Sequence, residues 1–381
     1  MAIRPVVPTH NLTELTREAM VDLMAELGQP KYRAGQLYQW VFQKGANHLD
    51  EMTNLPKTLR AALAEAGWTV GRLTVDKVAE SSDGTRKVAL KTEDGAVIES
   101  VLIMMEPGKF TQCLSSQVGC ALGCTFCYTA TLGLARHLTV GEIVDQVLKA
   151  RQVLPEGARI SHLVYMGMGE PLHNLDGVVE SIRRLCDPDG QDFSERRITV
   201  STSGLVPQIA RLGGATPVNL AVSLNASDDD TRDRVMPINK RYKIPDLVEA
   251  LKAYPLPPRR KMTLEYVLLH EVNDSDDDAR RLVKIMRQLP NARLNLLQWN
   301  PFAGPNYQRP PDERVRRFQR ILLNAGIRVT VRMSRGLDID AACGQLGARP
   351  EDEEIDEAAV AVADAAIAAV VADVDRQRPL Q

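Results

Sequence analysis

Residues 160–185 read ISHLVYMGMGEPLHNLDGVVESIRRL. Ile160 to Met166 is a short, largely apolar run of strand character, and Leu175 to Leu185 repeats its apolar residues at helical spacing. A turn rich in glycine joins the two. The same alternation extends outward on both sides. Strand-like runs lie at Thr111 to Ser115, Arg197 to Ser201, Val218 to Leu224, Lys261 to Leu268 and Arg293 to Gln298. Helix-like runs lie at Val140 to Val153, Ile244 to Ala253, Asp277 to Leu289 and Glu313 to Ala325. Six strands with helical returns predict an α/β domain over residues 106–348, built as a partial or full βα barrel rather than a sandwich. In such barrels the reactive groups gather at the carboxyl ends of the strands.

The flanks read differently. Residues 1–72 are helical in pattern, with a cap at Asn11-Leu12-Thr13-Glu14-Leu15 and apolar Leu37, Trp40 and Val41 at helical spacing. Over 73–105, Asp83-Gly84 and Asp94-Gly95 suit tight hairpin turns, so two or three short antiparallel strands are expected, the last through Ala96 to Ile103. Residues 349–381 form an acidic tail in which Ala358 to Ala372 reads as a marginal helix or a disordered segment.

With 381 residues, 44 % hydrophobic and 25 % charged, the chain has the composition of a globular protein and is too long to be a disulfide-stapled miniprotein. No stretch approaches the roughly 20 apolar residues that span a bilayer. The first 20 residues lack the apolar core of a signal peptide. The expectation is a cytoplasmic protein whose six cysteines are mostly reduced. The net charge of −2 is uneven, because residues 351–381 hold nine acids against two bases, leaving residues 1–350 mildly basic. That surplus permits nucleic-acid binding without demanding it.

Cys120, Cys124 and Cys127 stand in C-x3-C-x2-C spacing directly after a predicted strand. A structural zinc site wants four protein ligands, and His137 is not at a customary offset. Three thiolates suit an iron–sulfur cluster with one iron left open to a ligand. Three packed apolar cysteines are the competing reading, which this tight spacing on a βα loop disfavours.

This spacing resembles the defining cluster motif of the radical S-adenosylmethionine (radical SAM) superfamily. Gln117 to Cys124, Met166 to Pro171, Trp299-Asn300-Pro301-Phe302 and Asp340 to Leu346 together resemble the RlmN/Cfr group of radical SAM RNA methyltransferases. Arg33 to Gln36 and Glu51 to Pro56 extend the likeness into the helical region, while the acidic tail lies outside it.

The resemblance implies a partial (βα)6 radical SAM barrel, with a 4Fe-4S cluster on Cys120, Cys124 and Cys127 and SAM as cofactor. It implies methylation of carbon 2 of an adenine in 23S rRNA, and in some members of tRNA adenine. That carbon is electron-poor and cannot displace methyl from a sulfonium as an ordinary nucleophile would. In this scheme Cys343 carries the methyl group as S-methylcysteine, and Cys113 resolves the RNA adduct through a transient disulfide with Cys343. Taken alone, Cys343 in Ala-Ala-Cys-Gly would read as a small packed or loop residue. Glu99 is the implied base, an acid interrupting an apolar strand and sharing a face with Val97 and Val101. One more residue separates it from Cys113 than the group pattern has, so Glu106 stays open as a competitor. Gly169, Glu170, Ser201, Ser223, Leu224, Asn225 and Asn300 are the implied SAM contacts, Glu170 engaging the amino group. Asn225 stands where many relatives have His, and Leu337 where an acid is expected.

The implied partners are 23S rRNA, tRNA in some members, and an electron donor such as flavodoxin or ferredoxin; no membrane is expected, and the chain is taken as a monomer. Lys31, Arg33, Lys44, Lys57 and Arg60 form a candidate RNA grip, although solvated helix faces give the same pattern. Tyr38, Trp40 and Phe42 read as core before base-stacking platform. Cys186 reads as a buried helix-end residue. Two alternatives stay open: a Cfr-type enzyme acting at carbon 8, and a non-catalytic RNA-binding iron–sulfur protein.

Overall fold

The computed structural model describes residues 10–347 and 363–377. The helices α1 (Arg17–Glu26), α2 (Tyr32–Tyr38) and α3 (Lys57–Glu65) open the chain. Thr16 caps α1 by accepting from the Ala19 N–H at 3.1 Å. Met20, Met24, Leu37, Phe42 and Leu63 close a fully buried core between these helices. Tyr38 and Phe42 belong to that core, whereas Trp40 is half-buried with the Lys44 ammonium 3.7 Å above its ring.

The antiparallel strands follow: β1 (Leu73–Glu80), β2 (Arg86–Thr92), β3 (Val97–Glu106) and β4 (Lys109–Cys113). Gly84 and Gly95 take φ of 80° and 83°, the left-handed backbone that the two Asp-Gly turns require. A small hairpin, β5 (Gln117–Gly119) and β6 (Leu134–His137), flanks α4 (Tyr128–Thr131) and leads into α5 (Val140–Gln152). Arg136 ties this region together: its guanidinium bonds Glu142 of α5 and Asp94 of the β2–β3 turn, all at 2.8–2.9 Å.

The βα units continue through β7 (Arg159–Tyr165), α6 (Leu175–Cys186), β8 (Ile198–Thr202), α7 (Val206–Ala215), β9 (Asn219–Ser223), α8 (Asp229–Val235) and α9 (Ile244–Ala253). They close with β10 (Met262–Leu268), α10 (Asp276–Arg287), β11 (Ala292–Gln298), α11 (Asp312–Asn324) and β12 (Val329–Arg332). One ten-stranded sheet runs β1-β2-β3-β4-β7-β8-β9-β10-β11-β12. From β4 onward neighbouring strands are parallel, and β1 and β12 remain edges, so the barrel is partial.

Six βα units start at β4, and β12 is an added strand that the sequence reading lacks. Its four residues alternate half-buried and exposed, a run too short and too polar to register as apolar periodicity. Alternate wall residues Leu163 and Tyr165, Ile198 and Val200, Leu294 and Leu296 are fully buried, the period-two signature of these strands.

Of the two readings of the tail, the structure has the helix: α12 (Ala363–Arg376) buries Ile367, Val370 and Val374 and packs by the turn Pro237–Lys240. Tertiary burial supplies what Ala-rich propensity leaves undecided. Residues 358–362 lie outside the described residues. Among the described residues no helix is long and apolar enough to cross a membrane.

Candidate active site

The loop after β5 carries three cysteines around a tight return. Gly119 sits at φ 75°, and a Cβ there would lie 1.9 Å from the Gly133 carbonyl oxygen, which accepts the Cys120 N–H at 2.7 Å. Cys127 N–H closes the loop onto the Cys124 carbonyl at 3.1 Å. All three thiols face one cavity with about 1110 Å³ of empty space, partly open to solvent. Burial pushes the Cys120 thiol up to about 12 and raises Cys124 and Cys127 as well. The thiols of Cys120, Cys127 and the nearby Glu170 add to the effect on Cys124. Protonated, these sulfurs are inert, so they become ligands only as a metal displaces their protons.

The cavity walls are the carboxyl ends of β7 to β12. Gly167 and Gly169 bring backbone close, since a Cβ on either would meet Leu114 or Gln117 atoms within 2.6–2.7 Å. Glu170 is 4 % exposed; its Oε2 accepts from both Ser203 N–H and Ser203 Oγ–H at 2.8 Å, and its Oε1 from Leu172 N–H at 3.0 Å. Burial raises its pKa against the pull of these donors.

Beneath the wall lies Arg232, completely buried. Its guanidinium donates to the Leu224 carbonyl (2.9 Å), the Ser203 carbonyl (2.6 Å), the Ser223 carbonyl (3.1 Å) and Asn239 Oδ1 (2.9 Å). One side chain thereby holds the ends of β8 and β9 at a fixed separation. Burial lowers it to about 10, with Cys124 among the groups that favour its charge.

The segment 341–347 docks on the same mouth. Asn300 Nδ2 donates to the Cys343 carbonyl at 3.0 Å, Tyr128 N–H to the Gly344 carbonyl at 2.7 Å, and Thr129 Oγ1 to the Leu346 carbonyl at 2.5 Å. Cys343 is exposed and lines the cavity, yet the protein packed around its sulfur raises the thiol pKa, with Arg332 opposing and Glu265 and Cys127 assisting. Cys113, at the end of β4, is buried and pushed up to about 12, first by burial and then by the Cys343 sulfur beside it. All six cysteines are free thiols, so no standing disulfide joins Cys113 to Cys343.

Glu99 corrects the expectation of an acid left among apolar neighbours. It is 4 % exposed but engaged, with Lys87 Nζ 3.1 Å from Oε1 and Gly347 N–H donating to Oε2 at 2.7 Å. Lys87 also donates to the Asp340 carbonyl at 3.3 Å, so Glu99 and Lys87 together clasp both ends of the Cys343 segment. Glu106 stands exposed at the far end of β3, paired with Lys109 at 2.6 Å.

Of the residues singled out in the sequence, Cys120, Cys124, Cys127, Gly169, Glu170, Ser201, Ser223, Asn225, Asn300 and Cys343 line the one cavity. Leu224 does not; it is buried and contributes its main chain, N–H to the Glu265 carbonyl at 2.9 Å and carbonyl to Arg232. Cys113 and Glu99 are buried and are not among the residues that line the cavity. Sequence reasoning missed Ser203, Arg232, Glu265 and Arg332. Glu265 carried a usable signal, an acid inside the apolar run Met262–Leu268; it is 8 % exposed, accepts from Asn295 at 3.0 Å, and burial raises its pKa. Arg232 carried none, because an Arg in a charged helix reads as solvated.

The radical SAM superfamily profile matches residues 114–283, and the ribosomal RNA large subunit methyltransferase N-terminal domain matches residues 10–67. A dual-specificity RNA methyltransferase RlmN of Desulfosudis oleivorans is 49 % identical over 338 residues, covering 88 % of this chain and 90 % of that protein. The protein of the same name from Syntrophotalea carbinolica is 46 % identical over 336 residues, covering 88 % and 89 %. The chain belongs to the RlmN family of radical SAM methyltransferases. It is an enzyme. A crystal structure of a radical SAM methyltransferase from Sphaerobacter thermophilus shares its fold with a TM-score of 0.83 and 44 % identity, covering 89 % of this chain and 99 % of that one.

The donor set fits the cluster that the radical SAM family implies. Cys120, Cys124 and Cys127 lie on one loop and line one cavity, where Cys120 and Cys127 both raise the Cys124 thiol. Three sulfurs around one metal group leave a coordination position for another ligand. At the RlmN-family position of Asn225, φ is 53°, a left-handed conformation that Asn tolerates; its Oδ1 accepts Val267 N–H at 2.8 Å. The side chain there is a structural bridge from β9 to β10. Leu337 is 40 % exposed, and the neighbouring Asp338 makes the contacts to Ser81 (2.5 Å) and Ser82 (3.0 Å). In the N-terminal region, Arg33 is spent on Gln36 (2.6 Å) and the Asn54 carbonyl (3.0 Å), and Arg60 on the Asp50 carbonyl (2.8 Å). Lys31, Lys44 and Lys57 are exposed.

Proposed function

We propose that the enzyme methylates carbon 2 of an adenine in 23S rRNA, and of adenine in tRNA, through an S-methylcysteine relay on Cys343. The observation that carries this reading is the placement of Cys343 in the same cavity as the three-cysteine loop. Cys343 opens onto the cavity of Cys120, Cys124 and Cys127, with Cys113 as its electrostatic neighbour. The names of the relatives, dual-specificity RNA methyltransferases, supply the substrate class.

Cys120, Cys124 and Cys127 would hold a 4Fe-4S cluster and Gly169, Glu170, Ser201, Ser223 and Asn225 the SAM beside it. Together these supply, with an electron from a flavodoxin- or ferredoxin-class donor, the carbon radical chemistry that an electron-poor ring carbon needs. The chain does the rest. Cys343 accepts a methyl group as its thiolate and presents it to the adenine, with Arg332 favouring the anionic sulfur. Asn300 fixes the Cys343 backbone, so the carrier sulfur is aimed by a rigid strand end. Glu99 takes the proton from carbon 2, and its contacts to Lys87 and Gly347 tie it to the Cys343 segment. Cys113 loses its proton and attacks the Cys343 sulfur; the S–S bond forms as the Cys343 sulfur–carbon bond breaks, a proton completes the methyl group on the released base, and a thiol-class reductant restores the two thiols.

The decisive experiment is anaerobic. Cluster-loaded enzyme, a reductant, methyl-deuterated SAM and unmodified 23S RNA are combined, and the nucleosides are identified by mass spectrometry. Labelled 2-methyladenosine is expected; 8-methyladenosine, or SAM cleavage without labelled base, would overturn the assignment.

Two sets of variants probe separate steps. Replacing any one of Cys120, Cys124 or Cys127 with Ala is expected to abolish iron and sulfide uptake, and an unchanged iron content would refute the ligand set. Cys113→Ala should permit attack on RNA and stall resolution, giving a covalent protein–RNA band on denaturing gels. Ordinary turnover by that variant would remove Cys113 from the mechanism.

A further inference from the structure

On the far side of the Glu170 turn lies a cluster formed by His137, His173 and Asp373, whose ligating atoms fall within 4.8 Å of one another. His173 is 2 % exposed, and the two imidazoles meet edge to face at 4.6 Å. The set invites a divalent cation, but its hydrogen bonds argue otherwise. Gln117 is completely buried, and its Oε1 accepts the Glu170 N–H at 2.8 Å. That contact orients the amide, so its Nε2 must donate to His137 Nδ1 (2.9 Å) and His173 Nδ1 (3.1 Å). An imidazole that accepts at Nδ1 carries its proton on Nε2 and has no lone pair there for a metal. Turning the amide over would strand the Glu170 N–H.

The set is therefore built to donate. His173 Nε2 lies 3.3 Å from Asp373 Oδ2, off the ideal hydrogen-bond direction, and has no other polar partner among the described residues. Asp373 sits on α12, in the segment outside the family likeness. Further contacts hold that helix: Gln208 donates to Gln377 at 2.8 Å, Arg211 to the same oxygen at 3.4 Å, and Arg241 approaches Asp375 at 3.9 Å. Hydrogen bonds thus run from the main chain of Glu170 through Gln117 to His173, whose Nε2 stands 3.3 Å from Asp373 of α12. Gly169 permits it, since a Cβ there would lie 2.6 Å from Gln117 Cβ.

We propose that Asp373 of the C-terminal helix is a positioning residue for the Glu170 turn, acting through His173 and Gln117. The carboxylate attracts the Nε2–H, whose proton stays on the ring; this favours the tautomer that accepts from Gln117, and Gln117 in turn holds the Glu170 N–H. The consequence for SAM rests on the reading of Glu170 as part of the SAM-binding wall.

The test uses the full-length, cluster-loaded enzyme with Asp373→Leu and Asp373→Asn, the latter keeping an accepting oxygen. In Asp373→Leu, hydrogen exchange over residues 167–174 is expected to accelerate, and SAM to bind about three- to tenfold more weakly, with turnover at saturating SAM close to wild type. Asp373→Asn should stay near wild type in both. Nitrogen-15 shifts of His173 should report an unprotonated Nδ1 in the wild type. Unaltered exchange over 167–174 in Asp373→Leu, while exchange of α12 rises, would overturn the proposal. So would one equivalent of added Zn²⁺ bound by the wild type and lost in Asp373→Leu. Glu170→Gln separates the two readings: wild-type SAM affinity in that variant would sink the role of Glu170, while exchange over 167–174 would still decide the coupling.

Discussion

Cys343→Ala is expected to eliminate methyl transfer to RNA, a loss of at least about 10³-fold, while leaving cluster iron intact. The size follows from the role: a covalent carrier has no substitute, so removing its sulfur removes the route rather than slowing it. The variant is also structurally clean. The segment is held by the Cys343, Gly344 and Leu346 carbonyls and the Gly347 N–H, and none of these contacts uses the Cys343 sulfur. The expected readings are wild-type iron and sulfide, a wild-type melting transition and no labelled base. Methylation at the wild-type rate would refute the relay and favour a protein that binds its cluster for another purpose.

Arg232→Met is expected to cost about 3–5 kcal/mol of stability and to loosen the SAM side of the cavity. Methionine fills the volume but donates nothing, so the Ser203, Ser223 and Leu224 carbonyls lose a buried charged donor together. Ser223 ends β9, and Ser203 and Leu224 lie one residue beyond the ends of β8 and β9, so the lost donor is shared by two strand ends. Denaturant unfolding measures the first effect, and equilibrium binding of SAM to cluster-loaded protein the second. A variant as stable as wild type would show that water or a neighbour replaces the guanidinium.

The legible parts of this protein share a physical cause. In β7, Leu163 and Tyr165 are buried and Ile160 and Val164 on the other face half-buried, so the apolar run is long enough to see. The Asp-Gly turns at 83–84 and 94–95 were legible because positive φ selects glycine, and both glycines adopt it. The three-thiol loop was legible because its ligands are close in the chain. The edge strand β12 was hidden by its shortness, and α12 by an Ala-rich composition that is helical only once Ile367, Val370 and Val374 are covered.

The sequence by itself determined the alternation of strand and helix, the cysteine spacing and the candidate groups at the strand ends, because each is a local pattern in one dimension. Only the tertiary structure decided that Cys343 shares the cavity of the three-cysteine loop, that Glu99 is held by Lys87 and Gly347, and that Arg232 is a buried clamp rather than a solvated charge. It alone joined Asp373 to the Glu170 turn. These are contacts between segments far apart in the chain, and what selects them is the need of each buried donor, acceptor or charge for a partner, which no local pattern records.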